Sequence, residues 1–170
     1  MKSLNELDSK ALYFSPLGGS EQFGVNLNTY MTDGQILAVD CGIGFADDYY
    51  PGIDILLPDP TFLEDHRNSQ QGLVITQAHE DHIGAVAHLW NRMRCPIYTT
   101  PFTAAVLNEK FKEASIRDAV VHIIEPMEDF KAGAFKLKFI PVSHSVPDTC
   151  SLLITTSHGQ TLHSGDWNLD

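Results

Sequence analysis

The chain has 170 residues, 43% of them apolar and 19% charged, which suits one folded domain and excludes a disordered chain. Its formal net charge of −11, from 11 Lys+Arg against 22 Asp+Glu, argues against charge-driven nucleic-acid binding by the domain itself. Bound divalent cations would reverse that sign locally. No apolar run reaches the ~18 residues of a membrane span, and the opening MKSLNELDSK has no signal-peptide core. The three cysteines, Cys41, Cys95 and Cys150, lack the C-x-x-C spacing of a zinc site. They read as buried free thiols of a cytoplasmic protein without a membrane partner.

In chain order, Ala11–Phe14, Val25–Met31 and Gln35–Asp40 are predicted strands, with Thr32-Asp33-Gly34 as the turn between the last two. Gly72–Thr76 is a continuous apolar run and suits a buried central strand. Ile83, Val86, Ala87, Trp90 and Met93 share one face at helical spacing, predicting a single amphipathic helix. Thr100-Pro101 opens a second helix that runs to about Lys112, with Thr100 as its cap. Ala119–Ile124 returns as a strand. Phe135, Leu137 and Phe139 alternate with Lys136 and Lys138, giving a strand with one wet face. Cys150–Thr155 and Gln160–Ser164 pair around Ser157-His158-Gly159. The pattern is a β-rich α/β layer.

The informative segment is Gln77-Ala78-His79-Glu80-Asp81-His82, which puts two imidazoles and two carboxylates between a buried strand and a helix. Such a loop aims several side chains at one point, and imidazole with carboxylate suits zinc or a similar divalent ion. A solvated acidic loop ahead of a helix would account for this segment taken alone. However, Ser143-His144-Ser145, Ser164-Gly165-Asp166 and Asp40-Cys41-Gly42 likewise follow strands. Four strand ends carrying acids or imidazoles describe one rim of a sheet.

These segments carry a resemblance. Residues 17–30 (LGGSEQFGVNLNTY), 38–42 (AVDCG), 52–59 (GIDILLPD), 75–86 (ITQAHEDHIGAV), 95–107 (CPIYTTPFTAAVL), 143–149 (SHSVPDT) and 163–168 (HSGDWN) resemble the ribonuclease J-like enzymes. Those belong to the β-CASP group of the metallo-β-lactamase superfamily. The resemblance runs from about Leu12 to Asp170. It implies an α/β fold, the N-terminal half of an αββα sandwich with a mixed β-sheet and flanking helices. His79 and His144 are implied as ligands of one metal, Asp81 and His82 as ligands of a second, and Asp166 as the bridging carboxylate. Asp81 and Asp166 are the implied catalytic pair. Asp40 is implied to orient ligands without binding metal. Two Zn²⁺, with Mn²⁺ as the alternative, would activate water for in-line cleavage of RNA. His163 reads as structural, alternating away from the motif, as do His66, His88, His122 and His158.

The sequence departs from the family pattern in two serious ways. Gln77 stands where the family has a histidine ligand, and an amide oxygen is a poorer zinc ligand than imidazole. Family enzymes also continue beyond the position of Asp166 with a β-CASP segment, the rest of the sandwich and a further ligand. The whole chain, residues 1–170, is therefore expected to be a truncated metallo-β-lactamase-like domain with both metal sites one ligand short. It is expected to hold metal weakly and to lack nuclease activity. A degenerate RNA- or partner-binding relative and a small-molecule metallo-esterase are the alternatives. Missing half its sandwich, it is expected to expose the face bearing Val74, Leu137 and Phe139, and to cover it by forming a homodimer.

Overall fold

The computed structural model describes residues 7, 8 and 10–169. Its first half runs β1 (Tyr13–Gly18), β2 (Leu27–Thr32), β3 (Gln35–Val39), β4 (Gly44–Phe45), β5 (Ile55–Leu56), α1 (Thr61–Asp65) and β6 (Gln70–Val74). The second runs α2 (Glu80–Ile83), α3 (Val86–Met93), β7 (Ile97–Thr99), α4 (Pro101–Glu113), β8 (Val121–Ile123), β9 (Asp129–Ala132), β10 (Phe135–Pro141), β11 (Cys150–Thr156) and β12 (Gly159–His163). None of these helices is long and apolar enough to cross a membrane.

The strands form two main sheets. One is mixed, in the order β1-β2-β3-β6-β7-β8, antiparallel from β1 to β3 and parallel from β3 to β8. The other is an antiparallel meander, β12-β11-β10-β9. Alternation along the central strands sends apolar side chains to both faces of the mixed sheet. Ile36, Ala38, Leu73 and Ile75 pack with Leu63, Val86, Trp90, Met93 and Leu107 of the helices. Leu37, Val39 and Val74 instead meet Phe135, Leu137, Phe139, Leu152 and Ile154 of the meander. The layers are helix, sheet, sheet.

That second interface corrects one expectation. Val74, Leu137 and Phe139 are no more than 1% exposed, because the meander already covers the mixed sheet. The homodimer was expected in order to cover this face, so that ground for a dimer falls away. Two local readings also change. The Ile83–Met93 stripe is broken into α2 and α3 at Gly84-Ala85, where the Ala85 amide donates to the Cys41 carbonyl at 3.0 Å. The first strand continues through Pro16 to Gly18, which an edge position tolerates.

The sheet interface predicts a sharp contrast within β10. Leu137→Ala should cost about 2–5 kcal/mol as a cavity between the sheets. Lys136→Ala, whose side chain is more than half exposed beside Asp129, should stay within about 0.5 kcal/mol. Urea unfolding of the two variants measures the difference.

Candidate metal centre

The loops leaving β3, β6, β10 and β12 converge on one edge of the two sheets. Short backbone bonds tie them together: the Asp40 amide donates to the Val74 carbonyl at 2.8 Å and the Cys150 amide to the Thr76 carbonyl at 3.1 Å. Helix α2 is so short that only Glu80 O accepts from its own turn, from Gly84 N at 2.8 Å, and neighbouring groups bond its carbonyls. Cys41 N donates to His82 O at 2.8 Å, Ile43 N to Glu80 O at 2.9 Å and the Asn26 side chain to Asp81 O at 2.9 Å. This docking requires Gly42, where a Cβ would lie 1.6 Å from the Asp81 carbonyl oxygen. A methyl there would push away the helix that carries Asp81 and His82 and that follows His79.

The loop bearing His144 is pinned from its far end. Asp148 accepts the Phe102 amide at 3.0 Å, so Asp148 satisfies an open amide at the start of α4. Thr100 occupies the cap position but makes no capping bond with its side chain; its hydroxyl turns to the Asp148 carbonyl at 3.3 Å.

Two donor groups result. His79, His144 and Asp166 offer one set of ligand atoms, and Asp81, His82 and Asp166 offer another, each set lying within 4.8 Å. Asp166 Oδ2 stands 3.7 Å from His144 Nε2 and 3.1 Å from His82 Nε2, so one oxygen belongs to both sets. His82 Nε2 is also 3.6 Å from Asp81 Oδ2. His79 Nδ1 faces His144 Nε2 at 3.2 Å. Two imidazole nitrogens so close share one proton at most, and a cation between them satisfies both. The His144 Nδ1 atom is buried and has no hydrogen-bond partner among the described residues. The donor chemistry, nitrogen with carboxylate oxygen and one shared carboxylate, fits a divalent-metal pair.

Asp40 sits behind this centre, 1% exposed, with the positive φ of 61° that aspartate tolerates better than most residues. Its carboxylate accepts the Thr76 amide at 2.9 Å, the Thr76 hydroxyl at 2.9–3.0 Å and His82 Nδ1 at 2.8 Å. Those bonds aim His82 Nε2 forward at Asp166. Burial disfavours charge on His82, but Asp40, Asp166 and Asp81 outweigh it and raise the imidazole from 6.5 to about 10. The His82 hydrogen bond in turn lowers Asp166 from 3.8 to about 2, against a smaller opposing effect of burial.

Every metal-site residue expected from the sequence lies in this cluster: His79, Asp81, His82, His144 and Asp166, with Asp40 and Gln77. One neighbour was missed. His163, read as structural and facing away, points inward with Nε2 4.0 Å from Asp40 Oδ2 and Nδ1 3.0 Å from the Tyr30 hydroxyl. Burial lowers its pKa, and burial with Asp40 raises Tyr30 to about 12, so the Tyr30 hydroxyl donates to a neutral ring. The remaining four histidines lie elsewhere: His158 bonds Asp33 at 2.8 Å, His66 bonds the Phe62 carbonyl, His122 stacks on Tyr98, and His88 is exposed on α3.

Comparison with known proteins agrees with this architecture. The family model described as "Beta-lactamase superfamily domain" matches residues 37–169. The chain belongs to this family. It is 38% identical over 164 residues to ribonuclease J of Sinorhizobium meliloti, covering 94% of this chain and 29% of that protein. It is 34% identical over 167 residues to ribonuclease J of Helicobacter pylori, covering 96% of this chain and 24% of that protein. The chain thus spans less than a third of either relative. In fold it is similar to the metallo-β-lactamase fold protein YhfI from Bacillus subtilis, with a TM-score of 0.64 at 16% identity over 91% of this chain and 62% of that one.

The charge balance behind this centre predicts a pH signature for the metal-free protein. His82 is raised on folding, so its stabilisation is complete below about pH 6.5 and is lost as pH rises through 10. Asp166 is lowered, so its contribution is present above pH 3.8 and is lost as pH falls through 2. Stability in chelator should decline from pH 6.5 to 10, and Asp40→Asn should flatten that decline. Thermal melts of both proteins across this range measure it.

Proposed function

We propose that this chain carries metal-binding and catalytic residues of a ribonuclease J-type enzyme that hydrolyses RNA phosphodiesters, acting from a 5′ end or internally. The observation that carries the reading is the single Asp166 oxygen shared by two His/Asp donor groups. Ribonuclease J relatives matching nearly the whole chain supply the substrate class. Two divalent cations, Zn²⁺ first and Mn²⁺ as the alternative, would supply an activated water and neutralise charge on the phosphate.

The chain's own residues do the positioning. His79 and His144 define one cation position, and Asp81 and His82 the other. Asp166 sets the spacing between them, and Asp40 fixes the ring of His82 through Nδ1. No side-chain nucleophile is required. The acidic balance of the chain leaves phosphate attraction to the cations and to parts of the protein beyond this segment. The protein works in the cytoplasm, in keeping with three buried free cysteines.

In isolation the chain holds zinc weakly, because the Gln77 amide is a poorer ligand than imidazole, and it lacks robust nuclease activity, because in-line cleavage needs correctly held cations and a clamped substrate together. A second reading, a non-catalytic RNA- or partner-binding relative, is favoured by one observation: the Gln77 amide donates to Asp166 at 3.1 Å. Placing Gln77→His in the longer protein separates them. A gain of Mn²⁺- or Zn²⁺-dependent cleavage of 5′-monophosphorylated RNA, abolished by Asp166→Ala, supports the enzyme. Full RNA binding with no cleavage in either version supports the second reading. For the isolated chain, elemental analysis after dialysis should find far less than two metals per chain; two retained zinc ions would contradict this account of it.

A further inference from the structure

Gln77 is fully buried, yet its amide is only half satisfied. Nε2 donates to Asp166 Oδ2 at 3.1 Å, while Oε1 is buried without a hydrogen-bond partner among the described residues. An unpaired buried carbonyl oxygen is an unusual feature and asks for an explanation. Its neighbours supply one. The amide stands against the same carboxylate oxygen that lies 3.7 Å from His144 Nε2, and that nitrogen lies 3.2 Å from His79 Nδ1. Around a cation held at about 2.1 Å, adjacent donors stand roughly 3.0–3.4 Å apart. The 3.1 and 3.2 Å separations lie in this range and the 3.7 Å one is slightly wide. The Gln77 amide touches the Asp166 oxygen of this His79/His144/Asp166 group.

Resting on the reading that this group holds a divalent cation, we propose that Gln77 is a cation-responsive ligand. Without the cation its NH₂ end bonds Asp166. With it, a half-turn of the amide presents Oε1 to the cation beside His79, His144 and Asp166. The turn exchanges two ends of nearly equal size, so the packing around a fully buried side chain is kept. Charge drives it. Oε1 beside the bare carboxylate of Asp166 is repulsive, whereas beside a cation it is attractive, so each state selects one orientation.

This gives the site two nitrogen and two oxygen donors, one of them a neutral carbonyl. Carbonyl and carboxylate oxygens suit Mn²⁺ and Mg²⁺ better than they suit zinc. The site therefore favours Zn²⁺ over Mn²⁺ by a smaller margin than a histidine at position 77 would give.

Calorimetric titration with Mn²⁺ and with Zn²⁺ tests this in the chain carrying Asp81→Ala, which disables the other group. Three versions are compared: Gln77 unchanged, Gln77→Leu and Gln77→His. If the amide is a ligand, Gln77→Leu weakens Mn²⁺ binding at least about ten-fold. Gln77→His then strengthens Zn²⁺ more than Mn²⁺. Unchanged or tighter binding in Gln77→Leu overturns the proposal, because the amide then only competes for Asp166; the metal reading survives. Binding by Gln77→His alone has the same meaning. No binding by any version removes the metal reading itself and the proposal with it. A second readout avoids substitution at this position. The side-chain amide ¹⁵N–¹H resonances of Gln77 should shift on Zn²⁺ saturation as the bond to Asp166 is given up, and resonances that stay in place contradict the turn.

Discussion

The centre depends on one buried carboxylate. Asp40, at 1% exposure, would be costly to bury without partners. It has three donors: the Thr76 amide and hydroxyl from the strand next door and His82 Nδ1 from α2. The three bonds lock the end of β3 to the end of β6 and to the helix that follows. Because Asp40 takes Nδ1, Nε2 of His82 is left facing Asp166, and the end of the meander is drawn to the same point. Fold and site are thus joined through a single side chain.

The packing around it explains why the ligands arrive together although they are separated by up to 87 residues in the chain, from His79 to Asp166. Central strands that are apolar on both faces bring helices to one side and the meander to the other. Once both layers are in place, the loops after β3, β6, β10 and β12 share an edge. Gly42 lets α2 close down on that edge, and Asp148 fastens the His144 loop to α4. The α2 donors and His144 are thus set by nearby backbone or capping contacts.

Much of this was legible in the residues. The ligand-rich segments stood out because each follows a strand and combines imidazole with carboxylate, and the strong alternations of β10 and the apolar run of β6 appeared as expected. Features governed by tertiary contact were not. The break between α2 and α3 leaves the spacing of Ile83, Val86, Trp90 and Met93 undisturbed, since its cause is the Cys41 carbonyl from another strand. The covered face at Val74 and Leu137 was misjudged because alternation tells which residues share a face and is silent on which sheet meets it. His163 was misplaced because two-residue alternation does not carry past β12, which ends at His163, through Gly165 with its φ of 58° to Asp166. The family resemblance carried the assignment of roles to Asp81 and Asp166, which spacing alone leaves open.

The central claim is that two donor groups meet on one Asp166 oxygen to hold divalent cations. Anomalous X-ray scattering from crystals of this chain soaked in excess Mn²⁺ tests it most directly. The account predicts a peak among His79, His144 and Asp166, a second beside Asp81 and His82, and loss of both in Asp166→Ala. Manganese found only at surface carboxylates such as Asp47 or Glu109, with the Asp166 cluster free of signal at saturating metal, would contradict it.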